Sequence, residues 1–77
     1  MDITVYSTPT CSFCRKEKEF LKAHKITFKD INVAEDQKAA EYMIEKSGQM
    51  GVPVTEIDGK FIVGFDEPKL KKALKIE

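Results

Sequence analysis

No stretch of this chain approaches the roughly 18 consecutive apolar residues of a membrane-spanning helix, so no membrane partner is expected. Net charge is also lacking, with thirteen basic side chains against thirteen acidic ones. Nucleic-acid binders carry a basic excess, so that partner class is set aside. The first residues show no basic segment followed by an apolar one, and no secretory signal is expected. Histidine occurs once and cysteine twice. A closed zinc site takes four such ligands, so no metal is expected in a monomer. Linkers, internal repeats and low-complexity tracts are missing, and the 77 residues read as one small domain. The composition, 42% apolar and 34% charged, is that of an ordinary globular protein.

What the chain does have is concentrated in Thr8-Pro9-Thr10-Cys11-Ser12-Phe13-Cys14-Arg15-Lys16, which holds both cysteines. Ahead of it, Ile3-Thr4-Val5-Tyr6 alternates apolar and polar residues as a half-buried strand does. Behind it, residues 15–24 are good helix formers, with charges expected outside and Phe13, Phe20, Leu21 and His24 expected on one face. Pro9 and Thr10 form the turn, which puts Cys11 at a helix N-terminus and Cys14 one turn further in. Helix N-termini present unpaired N–H groups and favour negative charge. A cysteine there ionises more readily than a free thiol, and the thiolate is the nucleophile. Cys14, three residues on, is within reach of it. The pair reads as a dithiol/disulfide switch. Closing a four-residue loop contributes only about 2 kcal/mol, against about 3 for fifteen residues, which suits a bond made to be broken. Cysteines at this spacing with no export signal are more often catalytic or metal-binding than structural, and a cytoplasmic location is expected.

Further along, residues 26–31 alternate again and predict a second strand, parallel to the first in a right-handed βαβ unit. Residues 34–47 predict a helix with Glu35 and Asp36 in its first turn. Its buried face would hold Ala40, Met43, Ile44 and Ser47, and Gly48 would end it. His24, in a last turn, is expected to favour the helix dipole or to pack half-buried. After the loop Gln49-Met50-Gly51, a third strand runs from Val52 to Ile57. Asp58-Gly59 is a type I′ hairpin signal, and residues 60–63 return antiparallel. Gly64-Phe65 breaks that strand. Asp66 then caps a last helix with Pro68 in its first turn and Leu70, Ala73 and Leu74 buried, while five lysines between Lys60 and Lys75 face solvent. The predicted order is β-α-β-α-β-β-α.

Three stretches together resemble the landmarks of glutaredoxins: residues 5–14 around Cys11-Ser12-Phe13-Cys14, then Gly51-Val52-Pro53-Val54, then Val63-Gly64-Phe65-Asp66. The resemblance runs colinearly through essentially the whole chain. It implies an α/β thioredoxin fold: a four-stranded mixed sheet with the first and last helices on one face and the middle helix on the other. It also implies a cis bond before Pro53, with that loop beside Cys11. By the same resemblance Cys11 is the nucleophile, Cys14 the resolver, and glutathione the reductant. The groove for glutathione or peptide would draw on Thr8, Ser12, Phe13, Gln49, Val52, Pro53, Gly64, Phe65 and Asp66. Val52 would clamp the ligand through its backbone, and the helix after Asp66 would hold a carboxylate.

Departures from the family pattern are specific. Val63 replaces a glycine, Thr8 stands where many members have lysine or arginine, Gln49 where several have arginine, and Ser12 where proline is usual. The sequence thus predicts a monomeric oxidoreductase that reduces protein disulfides, glutathione mixed disulfides or both. Two other readings stand beside it. Gly64-Phe65 with a following proline also resembles small electron donors of ribonucleotide reductase, which thioredoxin reductase reduces. Loss of the proline at Ser12 fits a non-enzymatic dimer in which Cys11 and glutathione bridge a [2Fe–2S] cluster.

Overall fold

The computed structural model describes residues 2–76. Alternation along the first strand makes β1 (Ile3–Ser7) the centre of a mixed sheet, with Ile3 and Val5 facing one side and Tyr6 the other. Helix α1 (Ser12–Ala23) returns the chain to β2 (Lys29–Asn32), which pairs parallel with β1 from Thr4 opposite Lys29 to Ser7 opposite Asn32. Helix α2 (Gln37–Ser47) follows, then β3 (Val54–Ile57), antiparallel to β1, and β4 (Lys60–Val63), antiparallel to β3. Helix α3 (Glu67–Leu74) is the last element. The strand order is β2-β1-β3-β4, the expected thioredoxin-like sheet.

Two apolar layers seal its faces. Ile3, Val5, Ile57 and Ile62 of the sheet meet Leu21 of α1 with Leu70 and Leu74 of α3. On the opposite face Tyr6 and Val54 meet Met43 of α2. Helices α1 and α3 therefore share one side and α2 takes the other. Asp58 and Gly59 both adopt positive φ, 48° and 87°, the backbone of a type I′ turn. Asp58 also ties the hairpin to the first strand, since its Oδ1 accepts from the Asp2 N–H at 2.8 Å.

Several expectations need correction, among them the third strand, which starts at Val54 and not at Val52. The buried face of α1 is Cys14, Glu17 and Leu21; Phe13 is 57% exposed, and His24 is an exposed C-cap residue with its ring edge-on to Phe20. Assuming that every charge lies outside rotated the helix by part of a turn. The second strand starts at Lys29 because Lys25 (φ 57°) turns the chain and Ile26 N–H bonds back to Leu21 C=O, leaving Ile26 and Phe28 to pack on the core. Residues 33–36 form a turn, and Asp36 is the N-cap of α2, accepting from Ala39 N–H at 3.0 Å. Of the predicted α2 face only Met43 is fully buried, while Ile44 is exposed. Because Asp36 satisfies an otherwise orphan amide, Asp36→Ala should cost about 1 kcal/mol, read as a lower urea midpoint.

Candidate active site

The turn after β1 delivers Cys11 as the N-cap of α1, in extended backbone with φ −92° and ψ 114°. Its C=O accepts the Arg15 N–H at 3.3 Å and so starts the helix. Its sulfur fills the role that a serine or aspartate oxygen usually takes. Cys11 Sγ accepts the Cys14 N–H at 3.1 Å. On its other side the thiol lies 3.7 Å from Val52 C=O, to which it donates. An amide donor directed at sulfur stabilises negative charge there, and the carbonyl receives the proton of the thiol form.

Val52 precedes Pro53 through a cis peptide bond, and Pro53 C=O accepts the Gly64 N–H at 2.8 Å. A chain of hydrogen bonds thus joins Cys11, the Val52-Pro53 loop and Gly64, the residue that turns β4 towards α3 at φ 76°. Asp66 caps α3 by accepting the Lys69 N–H at 3.2 Å. Cys14 lies 1% exposed behind Cys11, which is half-buried. Burial and the hydrogen bond with Cys11 push the Cys14 thiol up to about 12. The inner sulfur stays protonated while the outer one faces solvent.

The remaining predicted residues separate. Thr8 lines a cleft of about 250 Å³ with Cys11, Arg15, Lys18 and Lys22. Ser12 opens α1 at the surface, and Phe13 projects beside it with the Lys16 ammonium 5.4 Å from its ring centre. Gln49 is exposed and bonds through its backbone to Ser47, not to the cysteine group. The ring of Phe65 turns inward, 5.9 Å from Phe20 in the α1–α3 core. A larger hollow, about 620 Å³ along residues 30–38, includes none of the predicted site residues.

Two polar groups beneath α1 were not foreseen. Asp30 accepts from Ser7 Oγ and Lys18 Nζ, both at 2.8 Å. Partial burial opposes its charge, but those bonds prevail and hold its carboxyl below the ordinary value. Glu17 is fully buried, with Thr55 Oγ1 donating to its Oε2 and no partner for Oε1 among the described residues. Burial raises its carboxyl to about 7, against the opposing effect of Thr55. A signal existed in the spacing. Cys14 and Leu21 are seven apart, and a helix face holding both also takes in position 17 or position 18. Among the described residues no group of three or more His, Cys, Asp or Glu is placed to hold a metal ion, and no helix is long and apolar enough to cross a membrane.

Residues 3–62 match the family model described as Glutaredoxin. Over 73 residues the chain is 51% identical to a glutaredoxin-like 8.6 kDa protein in the rubredoxin operon of Clostridium pasteurianum, covering 95% of this chain and 97% of that one. It is 36% identical over 70 residues to the glutaredoxin-like protein NrdH of Lactococcus lactis subsp. cremoris, covering 91% and 96%. Among solved structures, a mutant of the thioredoxin-like protein BC3987 superposes with a TM-score of 0.94 at 33% identity, covering 99% of this chain and 97% of that chain.

Proposed function

The chain belongs to the glutaredoxin family of thiol–disulfide oxidoreductases, and from that premise we propose that Cys11 attacks disulfides and Cys14 resolves the product. The observation that carries this division is the asymmetry of the two sulfurs: one half-exposed and capped by an amide, the other buried and held as a thiol. Cys11 thiolate attacks one sulfur of a substrate disulfide, forming a mixed disulfide and releasing the first thiolate. Cys14 then attacks Cys11 Sγ, closing the Cys11–Cys14 disulfide and releasing the second. Two electrons pass from the dithiol to the substrate.

Protein disulfides are the proposed substrates. The open face beside Cys11 and the edge of the Val52-Pro53 loop support an extended peptide as ligand, Val52 offering its backbone. For the reductant, Gly64 and the capped end of α3 support a site for a glutathione carboxylate. Thr8 and Gln49 lack the charges that would pair with the second carboxylate. Exposed ion pairs are worth about 0–1 kcal/mol each, so losing two weakens glutathione by roughly tenfold. Glutathione is therefore a working but poor reductant. The likeness to NrdH supports the second reading, reduction by thioredoxin reductase and delivery to ribonucleotide reductase.

NADPH consumption coupled through glutathione reductase or through thioredoxin reductase distinguishes the two donors. Thr8→Lys should lower the KM for glutathione several-fold and leave kcat nearly unchanged. An unchanged KM, with efficient turnover of the wild type by thioredoxin reductase, would remove glutathione from the proposal.

A further inference from the structure

Resolution requires Cys14 to lose a proton in a place where burial opposes its ionisation, which creates a demand for a nearby acceptor. The same buried face of α1 supplies one a single turn away. Glu17 follows Cys14 by three residues, the spacing at which helical side chains are neighbours. It is fully buried, its Oε2 is anchored by Thr55, and its Oε1 has no partner among the described residues. Thr55 stands two residues after Pro53 on β3, so the anchor belongs to the strand that carries the active-site loop. Buried carboxylate oxygens without partners are rare in folded proteins, and one beside a reacting thiol is suited to receive a hydrogen bond that forms during turnover.

We propose that Glu17 is the proton acceptor of the resolving step, its free Oε1 taking the Cys14 proton through one bridging water. This rests on the division of roles between Cys11 and Cys14 proposed above. As Cys14 attacks Cys11 Sγ, the Cys14 S–H bond breaks and Glu17 becomes a neutral carboxylic acid. The S–S bond between Cys11 and the substrate breaks, and the substrate sulfur departs as a thiolate with the electron pair. Charge is conserved, because one anion is neutralised as another leaves. When a reductant later opens the Cys11–Cys14 disulfide, the proton returns from Glu17 to Cys14. Burial favours the neutral carboxyl that the oxidised protein then carries.

Thr55 of β3 is the group bonded to Glu17. The layer between the sheet and helices α1 and α3 is otherwise apolar, with Ile3 and Val5 of β1 and Leu70 and Leu74 of α3. Asp30 of β2 lies at the edge of this layer, committed to Lys18 and Ser7. On α1 the buried titratable group one turn away is Cys14, and of the flanking lysines Lys18 is paired with Asp30 while Lys16 is exposed.

Ellman's reagent tests the proposal on the reduced protein by stopped flow, since it releases one thiolate when Cys11 attacks and a second when Cys14 resolves. In the wild type the second phase should accelerate with pH and level off once Glu17 is ionised. Glu17→Gln should leave the first phase within about twofold and slow the second by about a hundredfold near neutral pH, the usual scale of general-base assistance. Its second phase should then rise steadily with pH, without levelling. Thr55→Val removes the hydrogen bond that favours the carboxylate, and the levelling should move to higher pH. A Glu17→Gln second phase with the wild-type pH profile, or an equal slowing of both phases, would overturn the proposal. Loss of the first phase in Cys14→Ser instead of Cys11→Ser would overturn the division of roles itself.

Discussion

Cys11→Ser should reduce disulfide reduction to the uncatalysed background, while the protein stays folded. Serine is among the best N-cap residues, so the hydroxyl keeps the bond from the Cys14 N–H that the sulfur accepts at 3.1 Å. Any loss of activity is then chemical, because an alcohol at that place has no thiolate to offer. Cys14→Ser should behave differently. Its side chain is buried and has no part in the first attack under the proposed division of roles, so reduction of small glutathione mixed disulfides, which needs a single thiol, should persist. Reduction of protein disulfides should fall away, because the protein–substrate adduct cannot resolve itself. Measuring both variants against both substrate types separates the roles; equal loss across all four combinations would contradict them.

Stability should fall as pH rises from about 4.5 to about 7, and Glu17 should be the cause. The carboxyl is ordinarily near 4.5 and stands near 7 when buried in the fold. Between those values the folded chain holds a proton that the unfolded chain has released, so each step up in pH favours unfolding. At 1.36 kcal/mol per pKa unit the loss is about 3 kcal/mol, complete above about pH 7 and absent below about pH 4.5. Glu17→Gln keeps an acceptor for Thr55 and removes the ionisation. The variant should therefore match the wild type near pH 4 and exceed it by about 3 kcal/mol near pH 8, a substantial fraction of the 5–15 kcal/mol typical of a domain. Urea denaturation of the reduced proteins at the two pH values reads this directly. A wild type no more sensitive to pH than Glu17→Gln would show that the carboxyl is not held protonated by burial.

The order of elements was legible because period-2 alternation and the punctuation at Pro9, Gly48, Asp58-Gly59 and Asp66 are local signals. So was the placement of Cys11, since the turn and the helix formers flank it directly. The cis bond at Pro53 and the placing of its loop beside Cys11 depend on segments some forty residues apart, and only the family resemblance pointed to them; the hydrogen bond from Cys11 to Val52 was not anticipated. The inward turn of Glu17 was missed because local reasoning places charge outside. The face shared by Cys14 and Leu21 admits position 17 or 18, and the contacts of Glu17 with Thr55 and of Lys18 with Asp30 settle which turns inward. Phe65 illustrates the converse. Its place in the third landmark stretch points to the ligand groove, yet the nearby ring of Phe20 draws its side chain into the core.

That the sulfur proposed as nucleophile is itself the cap of α1 ties electron affinity to folding. An N-cap bond is worth about 0.5–2 kcal/mol, the sulfur makes it in the reduced form, and a thiolate formed there is a better acceptor than a sulfur bound in a disulfide. The helix terminus is accordingly better satisfied when the protein is reduced. Preferential stabilisation of the reduced state raises the midpoint potential of a dithiol couple, by about 30 mV for each 1.4 kcal/mol. One amide, that of Cys14, thus sets both how firmly the first turn of the helix holds and how readily the protein accepts electrons.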